Sequence, residues 1–139
     1  MQAAPKEALT LLQKSGIVTT LLPGTSFCSR IPYASGKTIE DLGCKIALAT
    51  DYNPGSCQIM NMNKILTLAV LYNGLSPWTA LAGATWVPAH SLKLGHDRGA
   101  LIKDYRADFI CHAHNTLESL VASWGEFLPE SVWIKGKKV

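Results

Sequence analysis

Two apolar segments separated by one helical stretch constrain this chain more than any other feature. Ile17 to Leu22 (IVTTLL) and Lys45 to Thr50 (KIALAT) each have the length and side chains of a buried strand. Pro23-Gly24 ends the first, and Tyr33 to Leu42 between them reads as a helix stopped by Gly43. Strand, helix and strand within residues 17–50 form a βαβ pattern, in which a crossover leaves the strands parallel. Parallel strands occur almost only in sheets covered on both faces with neighbours paired. Two alone are therefore expected to need more strands, a partner or self-association.

The flanking segments follow from the same rules. Pro5 to Ser15 reads as a short helix with Gly16 as its stop. After a turn-forming loop at residues 51–56, Met60 to Tyr72 carries apolar residues at helical spacing and ends on Asn73-Gly74. Ser76-Pro77 has the form of a cap followed by proline in a first turn. Thr85 to Leu94 reads as one more helix, closed by Gly95. From Arg98 the pattern changes to short strands, Ala107 to Cys111 and Val132 to Lys135, joined by turns. A boundary near Gly95 divides the chain into residues 1–95 and 96–139.

Composition excludes several classes. Of the formal net charge of +3, much comes from Lys135, Lys137 and Lys138 at the end, a solvated tail and not the basic, aromatic-studded stripe of a nucleic-acid binder. No apolar run approaches the ~18 residues of a membrane span. The first fifteen residues lack a signal-peptide core. The four cysteines (Cys28, Cys44, Cys57, Cys111) form no CxxC pair, so neither a zinc knuckle nor a disulfide framework is indicated. A reducing, cytoplasmic setting is the default expectation.

Asp51 is the residue with most chemical content. It directly follows the second apolar strand, at the carboxyl end where (β/α) barrels carry their catalytic groups. A carboxylate there can bind a metal ion or accept a proton from metal-bound water. The same position also suits an Asx turn that caps the following loop. Spacing leaves both readings open.

The segments Leu21-Leu22-Pro23-Gly24-Thr25-Ser26-Phe27, Pro32-Tyr33-Ala34 and Ala47-Leu48-Ala49-Thr50-Asp51-Tyr52-Asn53-Pro54-Gly55-Ser56 closely resemble the imidazolonepropionase family of the amidohydrolase superfamily. Leu94-Gly95, Gly99-Ala100-Leu101, Ala107-Asp108-Phe109-Ile110 and Ile134-Lys135-Gly136-Lys137 agree in order, so the similarity covers nearly the whole chain. The resemblance implies an α/β fold: the last two strand-helix units of a (β/α)8 barrel over residues 1–95, then the C-terminal strands of a small β domain over 96–139. It implies a small-molecule substrate and one zinc or iron ion. The implied reaction is the opening of a cyclic amide in histidine breakdown, 4-imidazolone-5-propanoate to N-formimidoyl-L-glutamate. Asp51 matches the aspartate after the eighth strand, a metal ligand that can take the proton of the attacking water. Asn53, Gly55 and Ser56 match positions that contact substrate.

The resemblance is to a C-terminal portion only. The family's remaining metal ligands, an HxH pair and a further histidine, all precede its aspartate, and no histidine precedes Asp51 here. His112-Ala113-His114 has HxH spacing but follows the ADFI strand, which marks these as strand-end histidines; His90 and His96 are isolated. Val87 stands where many superfamily members have asparagine, and Gly36-Lys37 replaces a bulkier stretch. Cys57 adjoins the loop without a histidine base nearby and reads as a bystander thiol. The alternative to a fragment of the hydrolase is an inactive, truncated amidohydrolase retained as a binding or interaction module.

Overall fold

The computed structural model describes residues 5–139, so the first four positions of the expected unit 1–95 lie outside the described residues. Thr19–Leu21 (β1) and Ile46–Leu48 (β2) pair in parallel, with Thr19 opposite Ile46 and Leu21 opposite Leu48. Each strand is shorter than the apolar segment containing it. A ladder lasts only as long as both strands supply donors and acceptors, and each has one neighbour among the described residues. Before β1, Lys6–Ser15 (α1) ends on Gly16, whose φ of 69° closes the helix in the left-handed region.

The crossover holds two helices where one was expected. Pro23-Gly24 does end β1, but it also opens a helix, Pro23–Ser29 (α2). Proline at a first helical position loses only an N–H that has no intrahelical partner anyway, so the same dipeptide serves as stop and start. The second helix, Gly36–Asp41 (α3), begins later than Tyr33. Ser35 caps it by accepting a hydrogen bond from the Thr38 amide. Gly36 is buried there, and a Cβ at this position would lie 2.8 Å from both the Asn73 carbonyl oxygen and Leu75 Cδ2. A small residue lets α3 approach the turn after the next long helix.

That helix, Met62–Leu71 (α4), is capped by Asn61, whose Oδ1 accepts from the Asn63 and Lys64 amides. Pro77–Ala84 (α5) starts as its Ser76-Pro77 signature implies, with the Ser76 hydroxyl accepting from the Thr79 amide. Trp86–Ser91 (α6) follows and buries Val87. Leu21, Ile39, Ile46, Leu48, Ile65 and Ala80 meet in one core between the parallel strands and the helices. Full burial of an aliphatic side chain of this size contributes roughly 1.5–3 kcal/mol.

Phe109–Cys111 (β3), Ser131–Ile134 (β4) and Lys137–Lys138 (β5) form an antiparallel sheet in that order, and Phe109 stacks on Trp133 with centroids 5.6 Å apart. Between β3 and β4 lies a helix that the strand-and-turn reading omitted, Leu117–Ala122 (α7). Thr116 and Ser119 form a reciprocal capping box at its start. Val121 belongs to the main core, and its carbonyl accepts the Thr67 hydroxyl of α4. Among the described residues no helix is long and apolar enough to cross a membrane.

A carboxylate fastens α3 to the start of α5. The Ser76 amide (3.0 Å) and hydroxyl (2.7 Å) donate to Glu40, as does the Thr79 hydroxyl. Partial burial pushes this carboxyl up, but the Thr79 and Ser76 donors, helped by Lys37, outweigh it and hold it below the ordinary carboxylate value. A lowered folded-state value adds stability above the unfolded pKa and loses it as pH falls through the folded one. Between about pH 6 and about pH 3 the urea midpoint of the parent chain should therefore decline more steeply than that of Glu40→Gln. Parallel pH curves for the two proteins would exclude Glu40 from the acid response.

Candidate active site

The loop after β2 is organised by Asn53. Its Oδ1 accepts from the amides of Gly55 (2.9 Å) and Ser56 (2.8 Å), and its Nδ2 donates to the Asp51 carbonyl (2.6 Å) and the Ser56 hydroxyl (3.0 Å). The Asn53 amide donates to the Cys57 carbonyl at 2.8 Å, closing the loop. The Asx turn here thus belongs to Asn53 and not to Asp51. Both Nδ2 hydrogens and both Oδ1 lone pairs of Asn53 are spent within the loop.

Asp51 is left with a different partner. Its Oδ2 accepts the hydroxyl of Thr25 at 2.7 Å, and its Oδ1 has no partner among the described residues. Its φ is 51°, in the left-handed region that aspartate visits more readily than most residues. Such backbone persists when surrounding contacts hold it, and the bond from Asn53 to its carbonyl is one of them. The Asp51 side chain is exposed at the carboxyl end of β2.

Thr25 lies in the first turn of α2, just after the carboxyl end of β1, so the two parallel strands deliver the two partners to the same edge. Sequence reasoning passed over Thr25. The available signal was its place four residues beyond Leu21, matching Asp51 three beyond the paired Leu48. Gly24 sets the distance between the loops. A Cβ there would lie 2.8 Å from Cys57 Sγ, 3.0 Å from Ile65 Cδ1 and 3.4 Å from the Thr50 carbonyl. The Cys57 thiol is buried and donates to that same carbonyl at 3.2 Å, which gives it a packing role. A groove of about 300 Å³ runs beside Thr25, lined by Thr20, Leu22, Ile31 and Asn73.

The histidines are elsewhere. His112 and His114 follow the end of β3 with ring centroids 6.2 Å apart, and His114 rests edge-on against Phe127. Burial, then the neighbouring His114, lowers the pKa of His112. His90 contacts Trp86 and lines a cleft of about 480 Å³ with Gly16, Val18 and Lys45, at the amino ends of the strands, opposite Asp51. His96 is exposed near Asp97. Among the described residues no three His, Cys, Asp or Glu side chains converge so as to hold a metal ion. Asp51 keeps one carboxylate oxygen without a partner among the described residues.

The sequence pattern of the amidohydrolase family matches residues 32–139. Imidazolonepropionase from Symbiobacterium thermophilum is 44% identical over 108 residues, covering 77% of this chain and 25% of that enzyme. Imidazolonepropionase from Deinococcus deserti is 35% identical over 139 residues, all of this chain and 35% of that enzyme. The chain therefore spans about a third or less of the relatives it matches. In three dimensions it is similar to a zinc-bound adenosine deaminase from Xanthomonas campestris, with a TM-score of 0.87 at 19% identity over 99% of this chain and 35% of the other. At that identity the likeness speaks for an amidohydrolase fold alone.

The contact between Gly24 and Cys57 can be checked by stability. Gly24→Ala should destabilise by about 1–3 kcal/mol through overpacking, with Cys57→Ala recovering part of the loss in the double variant. Chemical denaturation of the four proteins measures the coupling, and additive effects would mean that the two residues do not confine each other.

Proposed function

The chain belongs to the amidohydrolase family, and from that premise we propose that it is the catalytic C-terminal part of an imidazolonepropionase. The single observation that carries this is Asp51 at the carboxyl edge of a parallel strand, in a chain 31–44% identical to several imidazolonepropionases. The reaction is hydrolysis of the cyclic amide 4-imidazolone-5-propanoate to N-formimidoyl-L-glutamate. Residues 1–95 contribute the last two strand-helix units of a (β/α)8 barrel, and 96–139 contribute strands of a small β domain. Helix α7 reaches back from the second unit onto the first.

Each residue has a role consistent with its contacts. Asp51, with one carboxylate oxygen free, would be one of the residues that hold the metal and would accept the proton of the attacking water. Asn53 holds the loop in shape, so that Ser56 and the backbone at Gly55 border the substrate. A bound zinc or iron would lower the pKa of its water toward neutrality and so supply the nucleophile. The Xanthomonas deaminase and an atrazine chlorohydrolase of similar fold both hold zinc. The ligands beyond Asp51 have to come from outside this chain. So do hydrogen-bonding partners for the outer edges of β1 and β2, since open parallel edges invite association.

Assembly with the remainder of an imidazolonepropionase, for example the N-terminal part of the Deinococcus deserti enzyme, makes the proposal testable. With the parent chain, imidazolone should be consumed. With Asp51→Asn, kcat should fall by about 10²-fold or more, and substrate should still bind at equilibrium. Undiminished turnover by Asp51→Asn would remove the assigned role. Binding without turnover in every active-competent assembly would favour the alternative, a non-catalytic binding module.

A further inference from the structure

We propose that Thr25 is a positioning residue: its hydroxyl fixes the orientation of the Asp51 carboxylate, tying down Oδ2 and presenting Oδ1. The inference rests on the reading of Asp51 given above, and extends it to a residue on a different strand-helix unit. Three observations carry it. The first is the bond itself, Thr25 Oγ1 to Asp51 Oδ2 at 2.7 Å. A hydroxyl donating to an ionised oxygen makes a bond stronger than a neutral one and confines the rotamer of its acceptor.

The second is that Thr25 is itself held. It follows Pro23 and Gly24 in the first turn of α2, where proline restricts the backbone. Gly24 packs closely against the Cys57 loop and α4, where a Cβ would lie 2.8 Å from Cys57 Sγ and 3.0 Å from Ile65 Cδ1, and the hydroxyl beside it is carried on that packed turn. The third is that Asp51 has little else to orient it. Its backbone is tied by Asn53 through the carbonyl, but its side chain is exposed and Thr25 is its hydrogen-bond donor. Without that donor, χ1 of Asp51 has open space to sample. A ligand or proton acceptor has to be placed within a fraction of an ångström, and misplacement by about 1 Å can lower a rate roughly 10²-fold.

The test has two arms, the first independent of catalysis. In the assembled enzyme with only this chain isotopically labelled, three-bond couplings to Asp51 Cγ report its χ1. The parent and Thr25→Ser should show a single rotamer, and Thr25→Val, which keeps the shape and loses the hydroxyl, should show averaging. Averaged couplings in the parent, or an unchanged single rotamer in Thr25→Val, would overturn the proposal. In the assembled enzyme, Thr25→Val should lower kcat by about 10-fold to about 100-fold with KM changed less than about twofold, and Thr25→Ser should restore most of the rate. Full activity in Thr25→Val would also overturn it. An Asp51 ordered by Thr25 in a chain that never supports hydrolysis upholds the positioning and overturns the hydrolase reading instead.

Discussion

Parallel pairing of β1 with β2 is the constraint from which the rest of the arrangement follows. Two strands running the same way have their carboxyl ends at one edge, so the residues that leave each strand emerge side by side. Thr25 and Asp51, 26 positions apart in the chain, meet there because the strands are in register with Leu21 opposite Leu48. An antiparallel pair would send the two loops to opposite ends, and the carboxylate would stand without its donor.

The helices hold this edge by close approach. Gly24 admits Cys57 and Ile65 against the start of α2, and Gly36 admits the turn after α4 against the start of α3. Both positions sit at the beginning of a crossover helix. Glu40 then locks the end of the crossover to α5 through Ser76 and Thr79. Buried apolar groups supply most of the driving force, but that force is non-directional. It is these close contacts and directed hydrogen bonds that give the loop edge a defined shape.

The division of labour within the loop is informative about function. Asn53 carries the turn hydrogen bonds that a lone aspartate in this position could have carried. Asp51 is thereby spared a structural duty and is placed in left-handed backbone with one oxygen free. A chain selected only for a stable turn would have no use for both residues. The proposed hydrolase role supplies a reason for the carboxylate of Asp51 beside the turn-forming Asn53.

Much of this was legible in the residues alone. The apolar strands, the cap at Ser76-Pro77, the stops at Gly16 and Gly43 and the position of Asp51 depend on neighbours within a few residues, where chain stereochemistry decides. Helix α2 was not legible, because Pro23-Gly24 carries the same signal for ending a strand as for opening a helix. Helix α7 was not legible because its apolar face, Val121 above all, is short and acquires its partners from α4 and α5, far away in the chain. Of the candidate site, sequence supplied the carboxylate and the loop, and left open whether Asp51 served chemistry or an Asx turn. Tertiary structure gives the turn to Asn53 and brings in Thr25, since a hydrogen bond between two loops exists only once the strands beneath them are aligned.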